Sequence, residues 1–378
     1  MSAHKTAKPI AAHLPGSGHL GIHLHYTLGP GEQGGASLDN PLFELITALV
    51  EGGSIRHAAE LLGASYRHVW DSVRKWERLL GEPLVTWSQG RRAHPTQFAH
   101  RLLWAERRAR TRMQPHIEAL RSDLEHLIAD ARDERQLLLT LSASHDLAVS
   151  LLQRHMAEHA DLHLAVRFSG SVDSLRSLNE GQCLVAGFHV PVVTHRASIF
   201  ARALKPLLAP NHHALIACAR RTQGLMVRKE DAQRVRTFAD VSALRLRFAN
   251  RQAGSGTRML VDHLCNEHTI DPRSLTAHVE QTHVAVGLCV ASGVADAGVG
   301  IEAAALQFGL HFVPLIEERY FLACHTENLE HDAVQRMRGI LAGRQWAQIL
   351  TRLAGYHPES EPGALLGVPE TLPWWRRR

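Results

Sequence analysis

Apolar residues recur along the chain with two periods, and the change from one to the other divides it. From Asn40 to Gly52, Leu42, Phe43, Ile46, Leu49 and Val50 follow the 3.6-residue spacing of a helix. Ser54 is placed to cap a short second helix that turns Ile55, Ala58, Ala59 and Leu62 inward, and Gly63-Ala64 ends it. Ser65 opens a third helix, in which Val69, Val73, Trp76 and Leu80 form one apolar stripe widened by Trp70. After Gly81-Glu82-Pro83 the pattern predicts a short ribbon with Gln89-Gly90-Arg91-Arg92 at its tip. Pro95-Thr96 then starts a long helix over 98–130. Beyond the charged stretch 130–135 the period shortens. Apolar runs at 137–141, 162–168, 183–188, 215–218, 225–227 and 246–249 read as strands, with helical stretches at 147–159, 175–178 and 259–264 between them. That alternation is the signature of a parallel α/β sheet. A helix over 283–290, a Gly-rich turn over 291–300, strands at 312–315 and 320–324 and helices at 334–341 and 346–353 follow.

The polar positions give the first half a task. On the third helix Ser65, Tyr66, Arg67, His68, Asp71, Arg74 and Lys75 lie off the apolar stripe, so its first turn can reach base edges while the later cations and the ribbon's Arg91 and Arg92 suit phosphates. Charge supports this. Residues 40–112 hold twelve Lys/Arg and seven Asp/Glu, an excess of +5 that equals the net charge of all 378 residues. A polyanion partner is therefore expected for this part of the chain.

The second half carries a different chemistry. In Asn250-Arg251-Gln252-Ala253-Gly254-Ser255-Gly256-Thr257-Arg258 the glycines let backbone N–H groups turn inward at a helix start, and Ser255 and Thr257 add hydroxyls. Ser142-Ala143-Ser144-His145 ends a predicted strand in the same way, and Thr282-His283 begins a helix. Ser142, Ser144, His145, Ser255, Gly256, Thr257, Arg258, Thr282 and His283 are thus the candidate contacts to an anion. The run is not a nucleotide-hydrolysing P-loop, because the GxxxxGK[ST] spacing is absent. No catalytic residues are assigned: Ser142, His145, His283 and Cys289 offer nucleophile and base types, but no GxSxG or HExxH spacing assembles them.

Five cysteines at 183, 218, 265, 289 and 324 form no CxxC pair, which favours free thiols in a reducing compartment. His23 and His25 would share a strand face, yet no carboxylate or thiol accompanies them at ligand spacing, so no metal site is expected. Residues 1–20 read as a disordered arm without the apolar core of an export signal. No run nears the roughly 18 apolar residues of a membrane span, so a cytoplasmic protein without membrane contact is expected.

Two resemblances sharpen these readings. Glu51-Gly52-Gly53-Ser54-Ile55, Ala58-Ala59, Ser65-Tyr66, Trp70-Asp71 and the ribbon followed by Thr96 resemble the winged helix-turn-helix of ModE-type molybdate-responsive regulators, related to LysR-type DNA-binding domains. Gly187-Phe188-His189, the 250–258 run, the 282–298 stretch and Glu318-Arg319-Tyr320-Phe321-Leu322-Ala323-Cys324 resemble the periplasmic-binding-protein-like sensor joined to such readers. The implied fold is multi-domain. A mainly α winged helix-turn-helix over 21–97 and a dimerisation or linker helix over 98–135 precede a two-lobed α/β sensor over 136–357. Lobe I takes 136–214 and 309–357, lobe II takes 215–308, and a C-terminal tail covers 358–378. The implied function is a homodimeric regulator on a double-stranded DNA operator. Its effector is a small oxyanion, molybdate or tungstate, or a molybdenum-cofactor-related ligand, with no covalently held cofactor. The alternatives are a cytoplasmic solute-binding protein and an enzyme acting on a small anionic substrate.

Overall fold

The structure is a computed structural model that describes residues 40–87, 93–131, 137–158, 162–193 and 198–375. The predicted strand at 21–28 and the ribbon tip with Arg91 and Arg92 lie outside the described residues.

Three helices build the first layer: α1 (Pro41–Gly52), α2 (Ile55–Leu61) and α3 (Tyr66–Leu80). Each start is fixed by a side-chain cap. Asn40 accepts from the Leu42 amide at 2.9 Å, and Ser54 and Ser65 accept from the His57 and His68 amides at 3.2 Å each. Their shared core comprises Leu42, Ile46, Leu49, Ile55, Ala58, Val69 and Val73. Leu62, expected inside, is 37% exposed: α2 ends one residue earlier, and the helical spacing no longer directs position 62 inward. β1 (Val85–Trp87) and β2 (Ala93–Pro95) pair antiparallel as the stem of the predicted ribbon.

Thr96 accepts from the Ala99 amide at 3.1 Å and opens α4 (Gln97–Ala131), a single helix that continues through Pro115 rather than breaking there. At 1.5 Å per residue it is about 50 Å long. Its first turns belong to the helical core through Ala99 and Leu103, and further along it packs on the sensor.

The sensor alternates β3 (Leu137–Ala143), α5 (Leu147–Ala157), β4 (Leu162–Phe168), α6 (Ser171–Asn179), β5 (Val185–Pro191), α7 (Ile199–Leu204) and β6 (His213–Val227). α8 (Phe238–Ala243), β7 (Phe248–Arg251), α9 (Gly256–Glu267), α10 (Pro272–Leu275), β8 (Thr276–Glu280), α11 (His283–Ala291) and β9 (Ala297–Ile301) follow. The chain closes with α12 (Glu302–Gln307), β10 (His311–His325), α13 (Asp332–Ala342), α14 (Arg344–Thr351), β11 (Tyr356–Pro358), β12 (Leu365–Gly367) and α15 (Val368–Thr371).

One ten-stranded sheet runs through both lobes in the order β4-β3-β5-β10-β6-β9-β7-β8, with β11 and β12 on the free edge of β6. Parallel trios β4-β3-β5 and β9-β7-β8 are joined by the two long antiparallel strands β6 and β10. Side chains alternate between two cores: Tyr320, Leu322 and Cys324 face one, Phe321 and Ala323 the other. Burial on both faces is why the strands read as continuous apolar runs.

Two expectations are corrected. The runs at 215–218 and 225–227 are one strand, as are 312–315 and 320–324, because the polar residues between them lie inside the sheet: Arg221, Gln223 and Glu318 are all buried. β6 runs unbroken through 214/215, the expected boundary between the lobes. The Gly-rich 297–300 stretch is strand, not turn. A Cβ on Gly298 would stand 2.4 Å from Val286 Cγ1 and one on Gly300 2.4 Å from Met226 Cε, so glycine there admits neighbouring side chains. The tail is packed: β12 pairs with β6, and Trp374 is buried.

Candidate functional site

The reading face of α3 stands as the stripe predicts. Ser65, Tyr66, Arg67, His68, Asp71, Arg74 and Lys75 are exposed while Val69 and Val73 are buried. Arg67 is 92% exposed and only loosely paired with Asp71 at 4.0 Å. Arg74 lies over the Trp70 ring at 4.5 Å and pairs with Glu77 at 3.4 Å, which steadies its guanidinium at the surface. Glu77 also accepts from the Leu84 amide at 2.9 Å, tying α3 to the ribbon.

The sensor's polar centre is built by register. Arg221 on β6 faces Glu318 on β10 and Tyr356 on β11, so three neighbouring strands aim polar groups at one spot. Arg221 donates to Glu318 Oε2 from Nε at 2.9 Å and from Nη2 at 2.8 Å, and Gln223, two residues on, donates to the same oxygen at 2.7 Å. Arg221 Nη1 bonds Asp146, the N-cap of α5, whose Oδ2 also accepts from Tyr356 Oη at 2.9 Å. His189 on β5 stacks on Tyr320 at 4.3 Å and brings Nε2 to 3.2 Å from Asp146 Oδ2. Burial alone would raise the Asp146 pKa, but Arg221 and His189 outweigh it and hold the carboxyl ionised. Burial alone would lower that of Arg221, and the Glu318 and Asp146 carboxylates hold it up.

Arg251, at the end of β7, is different. It is 2% exposed, yet its bonds are to Gln252 at 3.2 Å and, from the backbone, to Asn250; no described carboxylate lies within ion-pairing distance. Burial, then the charge of Arg221, lowers its pKa to about 9. The surrounding imidazoles are neutral. Burial and then Arg251 bring His145 to about 3, the same two causes lower His283 well below its usual value, and burial followed by Arg221 lowers His189. Around this cluster Ser171 Oγ, Asn250 Nδ2, His283 Nδ1 and Tyr320 Oη are buried without a hydrogen-bond partner among the described residues. A cavity of about 260 Å³ opens beside it, lined by His145, Asp146, Ser150, Thr282, His283 and Ile301 on the sensor side.

The predicted contacts divide. His145, Thr282 and His283 line the cavity. Gly256 lies against Ser171, where the two lobes touch so closely that a Cβ on Gly170 would stand 2.5 Å from the Gly254 carbonyl oxygen. Ser144 and Thr257 are buried. Others are committed elsewhere: Ser142 bonds Ser169 at 2.9 Å, while Ser255 and Thr282 accept from Arg258 and Ala285 as caps of their own helices. Arg258 pairs with Asp262 at 2.9 Å one turn along α9 and is not among the residues that line the cavity. Sequence reasoning passed over Arg251, Arg221, Glu318, Asp146, His189 and Tyr356. One signal was present, the polar Arg220-Arg221-Thr222-Gln223 and Glu317-Glu318-Arg319 runs inside otherwise apolar strands. Among the described residues no cluster of three or more His, Cys, Asp or Glu is arranged for a metal ion, and no helix is long and apolar enough to cross a membrane.

Comparison with known proteins agrees with this division. A family model described as the PBP superfamily domain matches residues 153–342, half of the chain, and the bacterial regulatory helix-turn-helix protein, lysR family, matches 42–100. The uncharacterized protein YvgK of Bacillus subtilis is 26% identical over 213 residues, 56% of this chain and 68% of that protein. An uncharacterized protein from the 5′ region of a 2Fe-2S ferredoxin gene of Clostridium pasteurianum is 32% identical over 100 residues, 25% of this chain and 88% of that one. Among solved structures, a probable transcriptional regulator from Pseudomonas aeruginosa aligns with a TM-score of 0.43 at 19% identity, over 81% of this chain and 98% of that one. Full-length CbnR in complex with its target DNA aligns at 0.38 and 15% identity, over 81% and 98%. The chain belongs to the PBP superfamily and joins that domain to a segment matching the LysR-family helix-turn-helix, the architecture of a ligand-responsive transcription regulator.

Proposed function

We propose that this regulator reads double-stranded DNA through the exposed face of α3 and senses a small oxyanion in the cavity lined by His145 and His283, the two imidazoles whose charging the nearby Arg251 opposes. The observation that supports the effector class is Arg251 itself. A guanidinium taken out of water without a carboxylate is costly, and an anion in reach of it removes that cost. At the cavity wall His283 Nδ1 is a buried polar atom without a partner among the described residues and the start of α11 adds its dipole, while the Asp146 carboxylate on the same wall is already engaged by Arg221 and Tyr356. A cavity of about 260 Å³ suits an ion with a few waters better than a pterin cofactor. Molybdate and tungstate are the first effectors to test, with sulfate and phosphate beside them. A homodimer reading two half-sites one duplex turn apart, in the cytoplasm with the chromosome, completes the proposal.

The test is fluorescence anisotropy of the full chain on DNA from its own upstream region, with and without each sodium salt. One anion is expected to shift DNA affinity, and Arg251→Gln to weaken binding of that anion ten- to hundredfold, as expected on losing charged hydrogen bonds. If none of the four anions binds the native chain, the oxyanion reading is wrong.

A further inference from the structure

The cavity beside the polar cluster is not enclosed by the sensor alone. Its outer side is lined by Arg110, Thr111 and Gln114, all on α4, the helix that carries the reading head, and Arg110 Nε donates to Glu106 one turn back at 2.8 Å. The same helix places Ala99 and Leu103 in the core of that head. Leu103 and Arg110 are seven residues apart, about 10 Å along one rigid helix. No break in the helix separates the cavity from the head.

α4 is also clamped where it borders the cavity. Arg112 donates to Glu280 from Nε at 2.9 Å and from Nη2 at 2.6 Å, while Arg108 Nη2 lies 3.7 Å from the same carboxylate. The Cys289 thiol of α11 donates to it at 3.2 Å. The Glu280 side chain is 1% exposed, and although burial alone would raise its pKa, the Arg112 hydrogen bonds hold it below the ordinary value. This forked pair therefore remains ionised and fixes the register of α4 on the sensor. Directly across the cavity stands His283, buried and with Nδ1 unpartnered among the described residues.

We propose that α4 supplies the closing wall of the effector site, with Arg110 and Gln114 contacting the bound anion and the Arg112–Glu280 pair holding the helix in place to do so. The proposal rests on the oxyanion reading above and deepens it. The effector then bridges the sensor and the helix of the reading head, and its occupancy is felt by the head without relay through the sheet. An anion drawn to this wall biases where α4 sits, and by linkage DNA and anion alter each other's affinity by one common factor.

The experiment compares native full-length chain, Arg110→Gln with Gln114→Leu, and Arg110→Lys with Gln114 retained. Sodium molybdate, sodium sulfate and inorganic phosphate are titrated calorimetrically, and the ratio of DNA affinity with and without the binding anion is measured within each protein. Using the ratio removes any change in DNA affinity itself. The double variant is expected to weaken the anion at least tenfold and bring the ratio close to one, with Arg110→Lys recovering part of both because it restores charge without the fork. If the double variant binds the anion as tightly as the native chain and keeps the native ratio while Arg251→Gln loses both, the oxyanion reading stands and the α4 wall is overturned. If the native chain binds none of the three, both fall.

Discussion

The reading head and the sensor place their working groups in opposite surroundings. On α3 the groups proposed to meet DNA are exposed, lie on one helix and have few intramolecular obligations: Arg67 is 92% exposed and Tyr66 51%. In the sensor the corresponding groups are buried and come from β5, β6, β7, β10, β11 and the starts of α5 and α11. A head residue can therefore change with little effect on folding, whereas a sensor residue carries stability and response together. Where the two regions meet, at Arg112 and Glu280, one partner is 47% exposed and the other 1%.

Substitution at the centre of the sensor should break the comparison most severely. Arg221→Met leaves Asp146 and Glu318 buried without their cation, and the expected loss is about 3–5 kcal/mol of stability. Chemical denaturation checks it. A midpoint within experimental error of native would mean that the cluster is solvated rather than buried.

An intermediate effect is expected on the head. Arg67→Ala should leave the unfolding midpoint in place and relax discrimination at one base pair by about 1–3 kcal/mol. Binding to the operator and to scrambled DNA at matched salt decides it: equal loss on both assigns Arg67 to phosphates instead.

The smallest effect is at Arg258, a residue of the sensor that behaves like one of the head. Its partner Asp262 is one helical turn away and both are 28% exposed, so Arg258→Ala should cost only a few tenths of a kcal/mol and leave effector response intact. Lost response with unchanged stability would restore Arg258 to the cleft.

What was legible in the chain follows the same division. The caps Asn40, Ser54, Ser65 and Thr96 act within a few residues of themselves, so α1, α2, α3 and the start of α4 could be placed from local order alone. The strand–helix alternation was equally legible, because burial on both sheet faces writes itself as apolar runs. The middle of β6 and β10 was not, since Arg221 and Glu318 look like surface residues until the register sets them opposite one another.

The sequence by itself determined the helical reader, its exposed basic face and the α/β class of the sensor, because helix capping and side-chain periodicity are contacts between near neighbours. Only the tertiary structure decided that Arg251 is buried without a carboxylate, that Arg258 has one, and that α4 borders the cavity. Whether a buried charge is paired depends on what other strands and helices bring to it. Arg221 and Asp146 are 75 residues apart, Arg112 and Glu280 168, and no local pattern encodes either meeting.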